Sequence, residues 1–292
     1  MFPIAKILLP VDFSERASHT VRFAVPVAER FHSEIVLLHV LPPHYEFGSV
    51  EMGSAILSDL IVERRRAAGQ QIHDFLSAEL SHLPVRRLLL EGDPAHEIVE
   101  CARREQCGLI MMPTHGYGPF RRMLLGSVTA KVLHDAECPV WTTAHLEAPA
   151  AGPAALKRIL CAVDLKAGSA HALEWSARLA AEFAAALTLV HAIVELDPRL
   201  EGYHFSPEWR QFVVDAAETD IAALQKETGT RAEVSLTLGP AAEMICQEVR
   251  KTQADLLVIG RGADAGITGM VGRLTSAAYA IIRQSPCPVV SV

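Results

Sequence analysis

Apolar residues fall into two rhythms along this chain. Short, nearly unbroken runs at Ile4–Val11, Glu34–Leu41, Val85–Leu90, Leu109–Met112 and Pro139–Thr143 read as strands buried on both faces. Longer stretches with helical spacing lie between them. Ser14 suits the cap of a helix whose apolar positions Ala17, Val21, Ala24, Ala28 and Phe31 share one face. Pro26 inside that stretch predicts a kink or a tightening. Asp59–Leu80 predicts a long helix with a charged face at Glu63–Arg66. Asp93-Pro94 predicts a cap and a first-turn proline for a helix that turns Ile98, Cys101 and Ala102 inward. Ser127–Asp135 predicts another helix. The stretch from Pro42 to about Ser58 is longer than most connections and suits a lid or a partner-binding loop.

The pattern then repeats. ILLPVD (7–12) returns as ILCAVD (159–164), and 27 residues beyond each aspartate stands a histidine, His39 and His191. GDPAHEI (92–98) matches GPAAEMI (239–245), LIMMP (109–113) matches LLVIG (256–260), and both copies finish on Cys-Pro-Val. The Ala/Pro/Gly-rich stretch AHLEAPAAGPAAL (Ala144–Leu156) marks the boundary. Two domains of one kind are expected, residues 1–144 and 157–292, joined by a linker over 145–156. Ser206-Pro207 opens the long helix of the second copy, and Asp255–Ile259 is its fourth strand. The loop from about Glu195 to Tyr203 differs from its counterpart, so the two mouths are not equivalent. Strand alternating with helix throughout means α/β domains with parallel strands, right-handed crossovers and helices on both faces.

Composition narrows the partners. With 27 Lys and Arg against 34 Asp and Glu, the net charge of −7 argues against a general nucleic-acid or anionic-membrane surface. Six scattered cysteines form no CxxC pair and no metal-ligand spacing, which suits a reducing cytosol. No leader layout and no apolar run of about 18 residues is visible, so a cytoplasmic protein is expected.

The chemistry gathers in Leu109–Thr129, LIMMPTHGYGPFRRMLLGSVT, a strand, a glycine-bearing loop and a helix start. Free N–H groups at such a start can hold a phosphate. Gly116 and Gly118 allow close approach of a ligand. Asp12, at the end of the first strand, can accept hydrogen bonds from a ribose or an adenine amino group, or serve as an Asx cap for the helix near Ser14. Gly126-Ser127 can likewise be an ordinary helix cap. Arg121 and Arg122 lie in the intervening loop.

The spacing from Gly116 through nine residues to Gly126-Ser127 resembles the nucleotide loop of the universal stress protein family, G-x-x-G, nine residues, then G-[S/T]. The resemblance implies two tandem open, doubly wound five-stranded sheets of order 3-2-1-4-5, with the ligand crevice between strands one and four. Position by position, it carries ATP contacts onto Pro10, Val11, Asp12, Val40, Met112, Pro113, His115, Gly116, Gly126, Ser127, Val128 and Thr129. Pro113 departs from the pattern, since it stands where the family has the first glycine and lacks an N–H. The second copy departs further. It keeps Val163-Asp164 and restores the glycine at Gly260, with Gly262 following. Ala263 takes the second glycine's place, the loop is two residues longer, and Thr275-Ser276 replaces Gly-Ser. One competent ATP site in the first half and a degenerate one in the second are expected.

The resemblance further implies a stress-response or regulatory protein binding ATP, with Mg2+ as a companion, and at most slow hydrolysis. It implies pairing through the last strands, Pro139–Thr143 and Pro288–Val292, as an internal pseudo-dimer, with a homodimer as a further association. The competing reading is a nucleotide-free scaffold of the same fold, favoured by Pro113 and Thr275.

Other motifs fall away. Gly260-Arg261-Gly262-Ala263-Asp264-Ala265 imitates a dinucleotide fingerprint but follows the fourth strand of its unit, not the first. A Walker loop and G-x-S-x-G are missing, and no nucleophile–base pair emerges. Thirteen histidines show no metal spacing. His39 and His191 read as satisfied core histidines, and His115 is the one expected beside a ligand.

Overall fold

The computed structural model describes residues 4–43, 54–115, 125–143, 154–193, 207–261 and 274–292. The first half runs β1 (Lys6–Pro10), α1 (Glu15–Phe31), β2 (Glu34–Leu41), α2 (Ser54–Asp74), β3 (Val85–Glu91), α3 (Pro94–Arg104), β4 (Leu109–Pro113), α4 (Ser127–Asp135) and β5 (Val140–Thr143). The second runs β6 (Arg158–Ala162), α5 (Ser169–Phe183), β7 (Ala186–Ile193), α6 (Pro207–Thr228), β8 (Glu233–Leu238), α7 (Ala241–Thr252), β9 (Leu256–Ile259), α8 (Ser276–Gln284) and β10 (Val289–Ser291). The chain divides into two compact units, and the division falls inside β5, between Val140 and Trp141.

In the N-terminal unit the strand order is β3-β2-β1-β4, with β5 after β4. The C-terminal unit repeats it as β8-β7-β6-β9-β10. This is the 3-2-1-4-5 order, and the pairings through β1 and β2 and through β6, β7 and β9 are parallel. Ile7, Leu8, Leu9, Leu109, Ile110 and Met111 are almost wholly removed from water, which is why these strands read as continuous apolar runs. Neighbouring helices of the chain pack on each other in pairs, α3 on α4, α5 on α6 and α7 on α8. Among the described residues no helix is long and apolar enough to cross a membrane.

The helix ends follow the cap chemistry. Ser14 Oγ accepts from Ala17 N at 3.3 Å and opens α1. Asp93 Oδ1 accepts from His96 N at 2.9 Å, with Pro94 in the first turn of α3. Both carry out the expected roles. Ile98, Cys101 and Ala102 are buried, as their spacing predicts.

One element departs from expectation. The long helix α2 starts earlier than Asp59 and stops at Asp74, and Phe75–His82 forms turns instead of continuing to Leu80. The cause is a side chain from β3: Arg87 Nε donates to Ile72 O at 2.9 Å and Nη2 to Phe75 O at 3.0 Å. These carbonyls are satisfied by a guanidinium instead of another helical turn, and Leu76 at φ 56° completes the reversal. The earlier start of α2 also shortens the expected loop after Pro42, whose residues 44–53 lie outside the described set. Helix α1 runs through Pro26 without interruption. Pro26 has no N–H for the carbonyl of Arg22, and Ala154 N donates to that oxygen at 2.9 Å.

Candidate functional site

The winding of the N-terminal unit reverses between β1 and β4, and the carboxyl ends of these two strands open one crevice. Their register pairs Ile7 with Leu109 and Leu8 with Ile110, so its continuation sets Pro10 beside Met112. The β1–β2 register, Pro10 with Leu38, likewise continues to Asp12 beside Val40. Residues far apart in the chain are thereby placed together by strand pairing alone.

Asp12 forms the expected Asx turn. Its Oδ1 accepts from Ser14 N at 3.1 Å and from Ser14 Oγ at 2.5 Å. The other carboxylate oxygen accepts no hydrogen bond from the described residues, so the cap leaves an acceptor for a ligand. Phe13 follows in the left-handed region at φ 61°, a conformation that costs a non-glycine residue about 1 kcal/mol or more. Its ring lies 4.3 Å from that of His39 and 5.2 Å from that of Phe75. His39 Nδ1 donates to Val11 O at 2.7 Å, and this histidine is the satisfied one its position predicts. Burial pushes its pKa below the ordinary value, against opposing contributions from the Val11 carbonyl and the Asp12 charge.

On the β4 side, Thr114 and His115 are buried. Gly126 N donates to Thr114 O at 2.9 Å and Thr129 Oγ1 donates to Pro113 O at 3.1 Å, which tie the start of α4 to the end of β4. Gly126 is the cap residue of α4 and supplies no capping side chain. The N–H groups of Ser127, Val128 and Thr129 precede the first helical carbonyl partner, as Ala130 N is the first to bond back, to Gly126 O at 2.8 Å. A Cβ on Gly126 would stand 3.2 Å from Thr114 O and 3.5 Å from His115 Cα, a close fit that glycine alone meets without displacement. The structure therefore brings Pro10, Val11, Asp12, Val40, Met112, Pro113, His115, Gly126, Ser127, Val128 and Thr129 to one end of the sheet. Gly116, with Gly118, Arg121 and Arg122, lies outside the described residues.

The C-terminal unit repeats the frame with altered details. His191 Nδ1 donates to Val163 O at 2.9 Å, the counterpart of the His39 bond. Asp164 Oδ1 accepts from Lys166 N at 3.0 Å and Ser169 Oγ at 3.1 Å. Leu165 repeats the left-handed backbone of Phe13, at φ 59°. Gly260 lies against α5, where an added Cβ would meet Gly168 O at 3.3 Å. The start of α8 differs from that of α4, since Thr275 is its cap and its hydroxyl accepts from Ala278 N at 3.2 Å. Ser276 is exposed, and Gly262 lies outside the described residues. A cavity of about 450 Å³ opens here between the ends of β6 and β9, lined by residues that include Asp164, His191, Gly260 and Thr275.

Sequence reasoning did not find the left-handed pair Phe13 and Leu165, nor Ser169 as a partner of Asp164. A non-glycine residue with positive φ has no compositional signature, but the shared D-x-x register of the two copies marks the place. Among the described residues no group of three His, Cys, Asp or Glu side chains converges on a metal position.

Comparison with known proteins agrees with this geometry. The family model described as the universal stress protein family matches residues 3–143 and 155–292. A universal stress protein of Methanocaldococcus jannaschii is 33% identical over 136 residues, covering 46% of this chain and 79% of that protein. One from Mycolicibacterium smegmatis is 23% identical over 301 residues, covering 98% of this chain and 96% of its own. Among solved structures, a universal stress protein from Archaeoglobus fulgidus shares the fold with a TM-score of 0.69 at 21% identity, covering 99% of this chain and 98% of that one. Two matched segments, the repeated strand order and the glycine-started helix after the fourth strand lead to one conclusion: the chain belongs to the universal stress protein family and carries its domain twice in tandem.

Proposed function

We propose that this protein binds ATP, or another adenine nucleotide, in the crevice of its N-terminal unit and acts as a stress-response or regulatory protein. The observation that carries the reading is the start of α4. Gly126 leaves three backbone N–H groups without a capping side chain, at the positive end of a helix dipole and across the crevice from a free carboxylate oxygen of Asp12. The helix start suits a phosphate chain and the carboxylate suits a ribose or an adenine amino group. Mg2+ would ride on the phosphates and keep most of its waters, which fits a site with one nearby carboxylate. With no positioned general base in the reading, hydrolysis is slow at most.

We read the functional halves as residues 1–144 and 157–292, joined by 145–156. Their last strands pair as an internal pseudo-dimer in the cytoplasm, with a homodimer as a further association. A nucleotide-free scaffold is the second reading. It draws on Val62 and Phe212, large apolar side chains that are 66% and 69% exposed on α2 and α6.

The deciding experiment is to denature the purified protein, identify released nucleotide by mass, and titrate the stripped chain with ATP by calorimetry. One ATP per chain, lost in Asp12→Ala and Gly126→Val, supports the N-terminal site. Two per chain would give the second half equal competence. No binding by folded protein would favour the scaffold.

A further inference from the structure

A pair of thiols stands at the opposite end of β4 from the crevice. Cys107 and Cys138 both line a cavity of about 560 Å³ beside α3 and α4, within the N-terminal unit. Each stands just before a strand, Cys107 before β4 and Cys138 before β5. Ile110 N donates to Pro139 O at 3.0 Å, so the two strands begin side by side. Neighbouring strands lie about 4.8 Å apart, inside the roughly 4.4–6.8 Å that a disulfide spans between Cα atoms. Cys107 is held in place by the end of α3, where Gln106 turns left-handed at φ 55° and Cys107 N donates to Ala102 O at 2.8 Å. Cys107 is buried, whereas Cys138 is partly open to solvent.

The C-terminal unit repeats this frame without the pair. Gln253 turns left-handed at φ 52°, Ala254 N donates to Val249 O at 3.0 Å, and Leu257 N donates to Pro288 O at 3.0 Å. Cys287 keeps the place of Cys138, but Ala254 stands where the first unit has Cys107. The same turn therefore packs with a methyl group, and the fold does not require a thiol at residue 107. The rim differs as well. His96 and Lys131 line the N-terminal cavity, where the second copy has Glu243 and Ala280. These two side chains can meet the carboxylates of a small disulfide that enters from solvent.

We propose that Cys138 and Cys107 form a reversible thiol–disulfide pair, oxidised by a small carboxylate-bearing disulfide that reaches Cys138 through the cavity beside α3 and α4. Cys138 releases its proton to water, and its thiolate attacks one sulfur of that disulfide. The S–S bond breaks, and the expelled thiolate is reprotonated. Cys107, on losing its proton to water, attacks Sγ of Cys138 and expels the second small thiol. Two protein thiols are oxidised to one disulfide, and the small disulfide is reduced to two thiols. The second step is the slower one, because burial, with smaller contributions from Cys101 and Cys138, pushes the Cys107 thiol up to about 12. The bond closes a loop that contains β4 and α4, so oxidation restrains both elements of the candidate nucleotide site. This inference stands whether or not that site binds ATP.

The test adds glutathione disulfide to the reduced, native full chain at neutral pH and follows the reaction by intact mass and non-reducing peptide mapping. One glutathionyl group should appear on Cys138 and then leave as a Cys107–Cys138 bond forms, a bond that dithiothreitol reverses. Cys107→Ala, which copies the residue of the second unit, should keep the fold and make the adduct on Cys138 last about tenfold longer or more. Cys138→Ser should acquire neither the adduct nor the internal bond. An adduct equally persistent in the unchanged chain and in Cys107→Ala would overturn the proposal. So would a bond joining any other pair of cysteines, a disulfide between two chains, or native protein that stays unmodified while the denatured chain reacts.

Discussion

Ala154 N donates to the main-chain oxygen of Arg22 at 2.9 Å, at the one helical carbonyl that Pro26 leaves without its usual donor. A segment just before β6 thereby completes a helix near the start of the chain, and both residues belong to the N-terminal unit. Pro26→Ala restores the missing N–H inside α1. The variant should be more stable by about 1–2 kcal/mol, part of the roughly 3 kcal/mol that an interior proline costs a helix. The Ala154 amide should lose its acceptor and exchange its hydrogen at least tenfold faster. Exchange monitored by mass spectrometry on the peptide holding Ala154 checks both the bond and its origin.

Gly126 is the residue on which the ATP reading turns. Its added Cβ would press on Thr114 O at 3.2 Å, so Gly126→Ala requires a shift of a few tenths of an ångström in the end of β4. Ala should keep the fold and weaken ATP about tenfold. Val adds a branched side chain over the free N–H groups and should abolish binding, while also costing about 1 kcal/mol as a poor cap. Thermal unfolding beside calorimetry separates the effects, and a folded Gly126→Val protein with undiminished affinity would remove the site from α4.

Thr275 carries the opposite arrangement. Thr275→Ala removes the bond to Ala278 N and should cost about 1 kcal/mol, a fall of about 3 °C in the melting point of the C-terminal unit. Thr275→Gly uncaps the helix more gently, yet it should create no second ATP site, because Arg261 remains tied to Ser291. A second equivalent of ATP bound by this variant would show that the cap alone excludes phosphate.

His39 makes stability depend on pH. Burial lowers its pKa in the fold, so the unfolded chain takes up the proton first as pH falls. The stabilisation is complete above the ordinary value of 6.5 and declines as the pH drops through it toward the lowered one. The urea midpoint should therefore fall between pH 7.5 and pH 5.5. His39→Gln can still donate to Val11 O but does not titrate, and its midpoint should change less over the same interval.

Five of the six cysteines are buried, and only Cys138 is partly exposed. Burial pushes the thiols of Cys107, Cys161 and Cys287 up to about 12, so at neutral pH they are neither accessible nor ionised. A disulfide reagent should label one thiol promptly in the native protein and six after denaturation. Prompt labelling of two or more would contradict the packing around β4 and β6.

Much of this protein was written locally. The apolar runs set the strands because a strand between two helical layers must be hydrophobic on both faces, and β2 and α4 have the limits that the pattern predicts. Ser14 and Asp93 cap their helices because a short oxygen-bearing side chain next to a free N–H needs no distant partner. The repeat of ILLPVD as ILCAVD was likewise legible, and with it the existence of two units. Tertiary structure decided whatever depended on a side chain arriving from elsewhere. Arg87 ended α2 at Asp74, Ala154 covered the carbonyl under Pro26, and His39 reached Val11 across the sheet. The difference between the two sites has in part the same origin. Gly126 and Thr275 are visible substitutions, and the Thr275 cap on Ala278 is as local as those of Ser14 and Asp93, but the engagement of Arg261 follows from where Ser291 lies in space. A hydrogen bond depends on distance, and distance between residues far apart in the chain is set only when the sheet has closed.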